Sequence, residues 1–598
     1  MTQFRPRVDA FLAEFLALHP TAATAIGEHA YDDRWPDMTA GGRAERVAFG
    51  ERWLAEFRGL VDLAPDDAID RDLLVLELEA ARFGDLELRE EAWNPLEWIY
   101  LLGGGLFPLV AREFAPLADR LASMAGRLER IDAVVDAAEA ELVGHDGRPV
   151  ARFHTEKAIE QLPGIMELAD EAIATGEAAA AADPSVAEVL PRLRSAAAHA
   201  RSAMARFEGH LREVVLPASD GEGRLGAALF EEKMRRTMRS DELTPERILT
   251  RAEREFGAVR AEMVRIAGEL WPDWCPHRER PADHGALVRG VLDAIAAEHP
   301  AADELLDFCR AEVTRIEAFC RERDLIEPAD EPLDIRWTPT FLRAFGGAML
   351  DSPGPLDRTE KAFFAITPVP DDWPPERRES YLREDNARML RLLTIHEAVP
   401  GHYLQGVHAN RSTSIVRAIF WSGLFAEGWA VYVTQVMMDA GYGADDPALL
   451  LTHCKFYLRS ITNAIIDARI HVHGMTEDEA IRLMVEGGFQ EEAEARAKYD
   501  RARLSSTQLS TYFAGSMEFW DIEREVRRRA AVAAGDPRGA DAVPEPRVVG
   551  GYGETPGFAY RPHLEGLIAH GAPPTSLLRR VVLGGTSRPS SMINPRSH

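Results

Sequence analysis

The stretch Ser380 to His402, SYLREDNARMLRLLTIHEAVPGH, decides how this chain is read. Leu382, Met389, Leu390, Leu392 and Leu393 fall at helical spacing, so the residues up to Ile395 form a helix that delivers His396. Glu397 follows directly, and a second histidine, His402, comes six residues after the first. Imidazoles with a neighbouring carboxylate are what a hydrolytic zinc site uses as ligands and general base. The spacing departs from H-E-x-x-H, in which the second histidine lies one turn along the same helix face. Here that position is Pro400, which cannot ligate. Residues six apart in an unbroken helix point about 120° apart around its axis and cannot share one metal. Pro400-Gly401 is therefore expected to break or bulge the helix and swing His402 back toward His396.

Downstream, Phe425-Ala426-Glu427-Gly428-Trp429-Ala430-Val431-Tyr432 puts a carboxylate into an otherwise apolar and aromatic helix. A buried carboxylate is costly unless a cation or a metal pairs with it. An arginine is one possible partner. Set beside the two histidines, Glu427 reads as the third ligand of a Zn²⁺ ion held by His396 and His402, with the fourth position left for water.

The Glu427 segment looks like the Glu-Gly-Phe-Ala region of zinc aminopeptidases in the gluzincin group, where the glutamate is a ligand. Together the two segments resemble the bacterial domain-of-unknown-function family eight-eight-five, whose members look like zinc metallopeptidases of helical, thermolysin-related descent. Asp467 to Thr476 is similar to that family's Asp-x-x-x-His-x-x-Gly-x-Thr segment, and Gln508 to Gly515 to its Gln-x-x-x-Tyr-x-x-Gly segment. A closing stretch from His563 through Leu577 matches as well. The resemblance covers most of the chain after about residue 90. It departs at Ser506-Thr507-Gln508, where the family often has Pro-Gly-Gln. It implies a mainly α fold, with two helical halves around a cleft and a small β element beside the site.

In this reading Glu397 takes the proton from the attacking water and passes it to the leaving amine. Tyr512 and His471 are the candidate hydrogen-bond donors to the developing oxyanion, with a core tyrosine as the plainer reading of the first, and a binder of the substrate carboxylate or a structural histidine as other readings of the second. Thr476-Glu477-Asp478-Glu479 is a capping box, so His471 lies at a helix end. Arg459 and Arg469 are candidates for gripping a substrate carboxylate, with solvated helix faces as the plainer reading. His408, His453 and His473 rank below these. The expected substrate is a short peptide or peptide-like small molecule. Two alternatives stay open: a hydrolase of a non-peptide amide or ester, and a catalytically inactive helical scaffold that binds metal.

The rest of the chain sets bounds. Its 598 residues are 46% hydrophobic and 28% charged, as in ordinary globular proteins. A net charge of −29 argues against a nucleic-acid partner, since phosphate binding needs a basic face. Four cysteines are too few for a disulfide framework, and none form a C-x-x-C pair. The N-terminal residues lead into an amphipathic helix with Val8, Phe11, Leu12 and Phe15 on one face rather than a signal peptide's apolar core. No apolar run approaches the ~20 residues that span a bilayer. A cytoplasmic protein with no membrane partner is expected.

Pro217 to Gly223 is linker-like, and Thr244-Pro245 starts a helix. The expected division is an N-terminal helical half, 1–225, and a C-terminal helical half, 226–584, that carries the metal site. Ala362 to Thr367 is the best strand, read either as a backbone edge offered to an extended substrate or as a buried connecting strand. Gly535 to Thr555 reads as an exposed loop and 585–598 as a disordered tail.

Overall fold

About 70% of the protein is helical, and its sheet has three short strands. The structure is a computed structural model that describes residues 4–338, 348–357, 360–543 and 551–584. The tail 585–598 lies outside the described residues. The chain divides into two compact units, Met1–Arg224 with Pro353–Lys361, and Leu225–Ser352 with Ala362–His598.

The first unit is a helical bundle. Its helix Pro184–His210 buries Leu190, Leu193, Ala197, Ala200, Met204 and Phe207 at three- and four-residue steps. That stripe packs on helices Leu117–Glu129 and Pro163–Ala179. The small residues of the stripe let the helices approach closely. The short segment Pro353–Lys361, read from sequence with the C-terminal half, belongs here instead. Asp357 pairs with His29 Nε2 at 3.0 Å, Leu356 N–H donates to Ile26 O at 3.0 Å, and Arg112 donates to Lys361 O at 2.7 Å. Gly27, at φ +96°, admits this segment, because a Cβ there would meet Asp357 N at 2.7 Å.

The second unit is built on eight helices that matter for the site: α1 Ala227–Met238, α2 Pro245–Trp274, α3 Ala387–Glu397, α4 His402–Asn410, α5 Gly423–Asp439, α6 Pro447–His473, α7 Glu492–Leu504 and α8 Leu509–Ala533. Thr244 caps α2 by accepting Arg247 N–H, with Pro245 at the first helical position. Helices α5 and α6 are buried almost all round, from Leu424 to Met437 and from Leu451 to Ile470. Such helices sit at the centre of a bundle rather than on its surface. Helix α8 packs against both, and α2 covers α6.

The three strands are β1 Leu333–Trp337, β2 Ala348–Asp351 and β3 Ala362–Ile366, in the order β1-β3-β2. Strand β3 pairs in parallel with β1 and antiparallel with β2, and all five of its residues are buried. Of the two readings of Ala362–Ile366, the buried strand holds and the free edge does not, since it is the middle strand. Its unbroken apolar run, Ala-Phe-Phe-Ala-Ile, suits burial on both faces. The edge beside the site is β2. Phe364 and Ile366 pack with Leu382, Leu390 and Ala398, which seats the sheet on α3.

The stretch Gly535 to Thr555 is only partly described. Its Tyr552 is buried against Trp520 and donates to the Trp520 carbonyl at 2.7 Å, so this part is not an exposed loop.

A candidate metal centre

Helix α3 ends at Glu397 and α4 begins at His402, so the chain does break at Val399-Pro400-Gly401, where the Val399–Pro400 peptide is cis. The turn folds back on α3: Gly401 N–H donates to Ile395 O at 3.0 Å, and Leu404 N–H to Ala398 O at 3.3 Å. Only glycine fits at 401, since a Cβ there would lie 1.8 Å from the His396 carbonyl oxygen. The turn brings the two imidazoles together, with ring centroids 4.8 Å apart and planes at 85°.

Glu427 comes from α5, and two glycines place it. A Cβ on Gly428 would meet the Gly515 backbone at 2.4 Å, and one on Gly515 would meet Leu424 O at 2.2 Å. Helices α5 and α8 thus touch backbone to backbone one residue past Glu427. Trp429 adds a tie by donating its indole N–H to Pro400 O at 2.8 Å, which pins the turn to α5. Removing that donor in Trp429→Phe strands a buried carbonyl. The expected result is a zinc affinity lowered about tenfold, read by competition with a chelating dye.

One donor atom each from His396, His402 and Glu427 lies within 4.8 Å of the others. His402 Nε2 is 3.5 Å and His396 Nε2 4.0 Å from Glu427 Oε2. Tetrahedral zinc with ligands at ~2.0–2.1 Å holds its donors ~3.3–3.5 Å apart. One pair already has that separation, and the longest gap needs to close by up to about 1.5 Å. The donor set and its spacing fit the ion.

Burial governs the electrostatics. It pushes His396 down to about 3, helped by the charge of His402, so this imidazole keeps a lone pair for a metal. Its Nδ1 is buried near the Ala430 backbone at less than full hydrogen-bond geometry. Burial also opposes charge on His402, but the hydrogen bond and charge of Glu427, with the charge of Glu397, win and raise it to about 9. Glu427 is held below its ordinary value because His402, His396 and a hydrogen bond from Tyr512 outweigh burial. A proton on His402 thus does in the protein what a cation between the three donors would do. Glu397, 8% exposed, is pushed by burial up to about 7, with His402 pulling it down and Glu427 pushing it up. Leu350 N–H of β2 supports its carboxylate.

The other candidates part company. Tyr512 is brought in: beyond Glu427, its hydroxyl accepts from Arg501 Nη2 at 3.2 Å and from Gln508 Nε2 at 3.4 Å. His471 is not. Its Nδ1 accepts Leu225 N–H at 3.3 Å, its Nε2 donates to Ala502 O at 2.9 Å, and its ring stacks on Phe230. Both nitrogens are taken by backbone groups, so it ties α6 to α1 and α7 rather than donating to an oxyanion. Arg459 pairs with Glu494 and Glu384, and Arg469 with Glu253 at 2.6 Å. His453 bonds Gln435 at 2.7 Å.

The Asp467 and Gln508 segments turn out to be one structure. Asp467 accepts Thr507 N–H at 3.0 Å, Ser510 N–H at 3.1 Å and Ser510 Oγ at 2.7 Å, fixing the start of α8. Thr507 adopts φ +74°, a glycine conformation. At the Ser506-Thr507 departure this chain makes a left-handed turn, held by Asp467 and by a 2.8 Å contact between the Thr507 and Thr237 hydroxyls. Arg501, Gln508 as a partner of Tyr512, and the indole of Trp429 were not singled out from sequence. Gln508, Tyr512 and Gly515 do share one helix face by their spacing; nothing marked Arg501.

This helical body with its kinked histidine turn places the protein in a family. The chain belongs to the family described as "Bacterial protein of unknown function (DUF885)", whose model matches residues 20–538. Among solved structures it is similar to a "putative lipoprotein of unknown function" from Shewanella oneidensis, with 28% identity, 98% of this chain and 100% of that one covered, and a TM-score of 0.78. It is also similar to the "putative lipoprotein" from Colwellia psychrerythraea, with 15% identity, coverage of 98% and 99%, and a TM-score of 0.75, a likeness of fold alone. A "putative oligoendopeptidase F" from Bacillus anthracis str. Ames reaches a TM-score of only 0.25 at 10% identity, which carries no argument. No curated protein matches the chain.

The cytoplasmic expectation does not stand, because the Shewanella oneidensis protein, matched over its whole length, is described as a lipoprotein. The cysteines gave that expectation little support. All four are buried, and burial pushes the thiols of Cys309 and Cys320 up to about 12, so they stay inert in an oxidising compartment too. Among the described residues no helix is long and apolar enough to cross a membrane.

Proposed function

We propose that this protein is a zinc-dependent hydrolase of peptide or peptide-like amide bonds. The convergence of His396, His402 and Glu427 beside a buried Glu397 carries this reading. Those three residues would hold Zn²⁺, which supplies a Lewis acid and acidifies water when bound. Glu397 takes a proton from the attacking water and returns it to the leaving amine. Its carboxyl sits near neutrality, which suits both transfers. Tyr512 swings from Glu427 to donate to the oxyanion.

An extended substrate pairs with the outer edge of β2, whose Leu350 N–H already faces Glu397. Short peptides are the proposed partner. Nucleic acid is not, given the charge of −29.

Calorimetric zinc titration of the metal-depleted protein tests the ligand set. One site per chain is expected, with affinity reduced at least about 100-fold in His402→Ala, since one of three ligands is gone. Unchanged affinity in that variant contradicts the assignment. Turnover is tested on a mixed peptide library read by mass spectrometry, where cleavage stops on chelation and returns with zinc. A zinc-loaded protein that cleaves nothing would sink the reading.

A further inference from the structure

The second unit holds a cavity of about 560 Å³ at the far end of α6. That is the size of a small-molecule site rather than of a void for single waters. It stands apart from the candidate centre. Phe456 of α6 meets the His396 ring with centroids 5.6 Å apart, whereas Arg469 of the same helix lies on the cavity wall. Residues 456 to 469 span about 20 Å of helix axis.

Three elements build the wall: α2 with Phe256 and Arg260, the end of α6 with Arg469 and His473, and the short helix Glu477–Arg482, which runs into the π-turn Leu483–Gly487. Two arginines fix that turn. Arg260 donates to the Glu486 carbonyl at 3.0 Å and to that of Gly487, and Arg289 donates to the Val485 carbonyl at 2.5 Å. Their guanidinium groups lie 5.0 and 5.6 Å from the Phe489 ring. Gly487 lets the Phe256 ring close on the turn, since a Cβ there would meet Phe256 Cζ at 2.8 Å.

Most charged groups on the wall are engaged. Arg260 serves the turn, and Arg469 pairs with Glu253 at 2.6 Å. Glu479 accepts the Thr476 N–H at 2.8 Å and its hydroxyl at 2.9 Å. Arg482 and Glu486 differ: both are exposed, and among the described residues neither side chain has a hydrogen bond or an ion pair. They stand four residues apart, the spacing at which opposite charges pair on an α-helix. The π-turn aligns residues five apart instead, so the two do not meet. A ligand of one sign would be drawn to one of them and repelled by the other. A ligand that carries both charges answers both.

We propose that this cavity binds a free α-amino acid, with its carboxylate on Arg482 and its ammonium on Glu486. The guanidinium fork matches a carboxylate with two parallel hydrogen bonds. The two groups stand about one turn apart, so the charges of the ligand must lie close together, as they do on a single α-carbon. Phe256, Met475 and Leu483 supply apolar wall for its side chain. The proposal stands independently of the hydrolase reading.

Calorimetric titration of metal-depleted protein with L-phenylalanine, L-phenylalaninamide and N-acetyl-L-phenylalanine tests it. Wild type should take one phenylalanine per chain. Each blocked compound should bind at least about tenfold more weakly, because each loses one charge-assisted contact. Arg482→Gln should weaken phenylalanine about tenfold and erase its advantage over the amide, and Glu486→Gln should do the same against the N-acetyl compound. Both side chains are exposed, so neither substitution threatens folding. Absent binding of phenylalanine, equal binding of all three compounds, or binding that either substitution leaves unchanged overturns the proposal.

Discussion

Glu397→Gln is expected to lower turnover about 10³-fold or more while leaving one zinc per chain. Glutamine keeps the shape and burial of the side chain but cannot accept a proton, and positioned acid–base catalysis is worth ~10²–10⁴-fold. Glu397 is not a ligand in this account, so metal affinity should move little. An equal loss of zinc and activity would make Glu397 a ligand and undo the assignment of roles. The same substitution has a signature in stability. Burial raises the Glu397 carboxyl from 4.5 to about 7. A carboxyl raised on folding costs stability above its unfolded value, and the cost grows until the pH passes the folded value. In metal-depleted protein, Glu397→Gln should therefore gain on wild type between about pH 4.5 and 7 and hold that gain above it. Paired thermal unfolding at pH 4.5 and pH 8 reads the difference.

Gly401→Ala should be nearly as damaging, from a single methyl group. A Cβ at 401 would lie 1.8 Å from the His396 carbonyl oxygen and 2.4 Å from that of Ile395. Both contacts are backbone, so no side chain can turn aside, and the turn must open. His402 then leaves His396 and Glu427. The expected outcome is a zinc affinity down about 100-fold and a stability loss of about 3 kcal/mol, the upper end for overpacking. Gly423→Ala is the control: it sits in the first turn of α5 with nothing within 4 Å of its added Cβ, and should be near neutral. Far-ultraviolet circular dichroism should be unchanged in both, because the bundle does not depend on the turn.

The helical character and the kink were legible because each rests on local signals. The apolar spacing before His396 is a helix signal, and Pro400 in the place of the second histidine forbids a straight helix. Glu427 stood out as a charge inside an apolar helix. Other features depend on contacts that no local pattern encodes. The Gly428–Gly515 crossing is made by residues 87 positions apart and is visible only once α5 and α8 are packed. His471 has the composition of a catalytic residue, but its two nitrogens are claimed by Leu225 and Ala502 from distant parts of the chain. Arg501 is one arginine among many in the sequence and becomes distinct only beside Tyr512. The Ala362–Ile366 strand was correctly placed, yet its neighbours on both sides could not be read from its own residues.

The central claim is that one metal is shared by His396, His402 and Glu427. Anomalous X-ray scattering across the zinc edge, on crystals of zinc-loaded protein, tests it most directly. The account expects a single strong peak ~2.0–2.2 Å from both imidazoles and the Glu427 carboxylate, with Glu397 close by but unbound. A peak elsewhere, or none in protein that carries stoichiometric zinc, would contradict it.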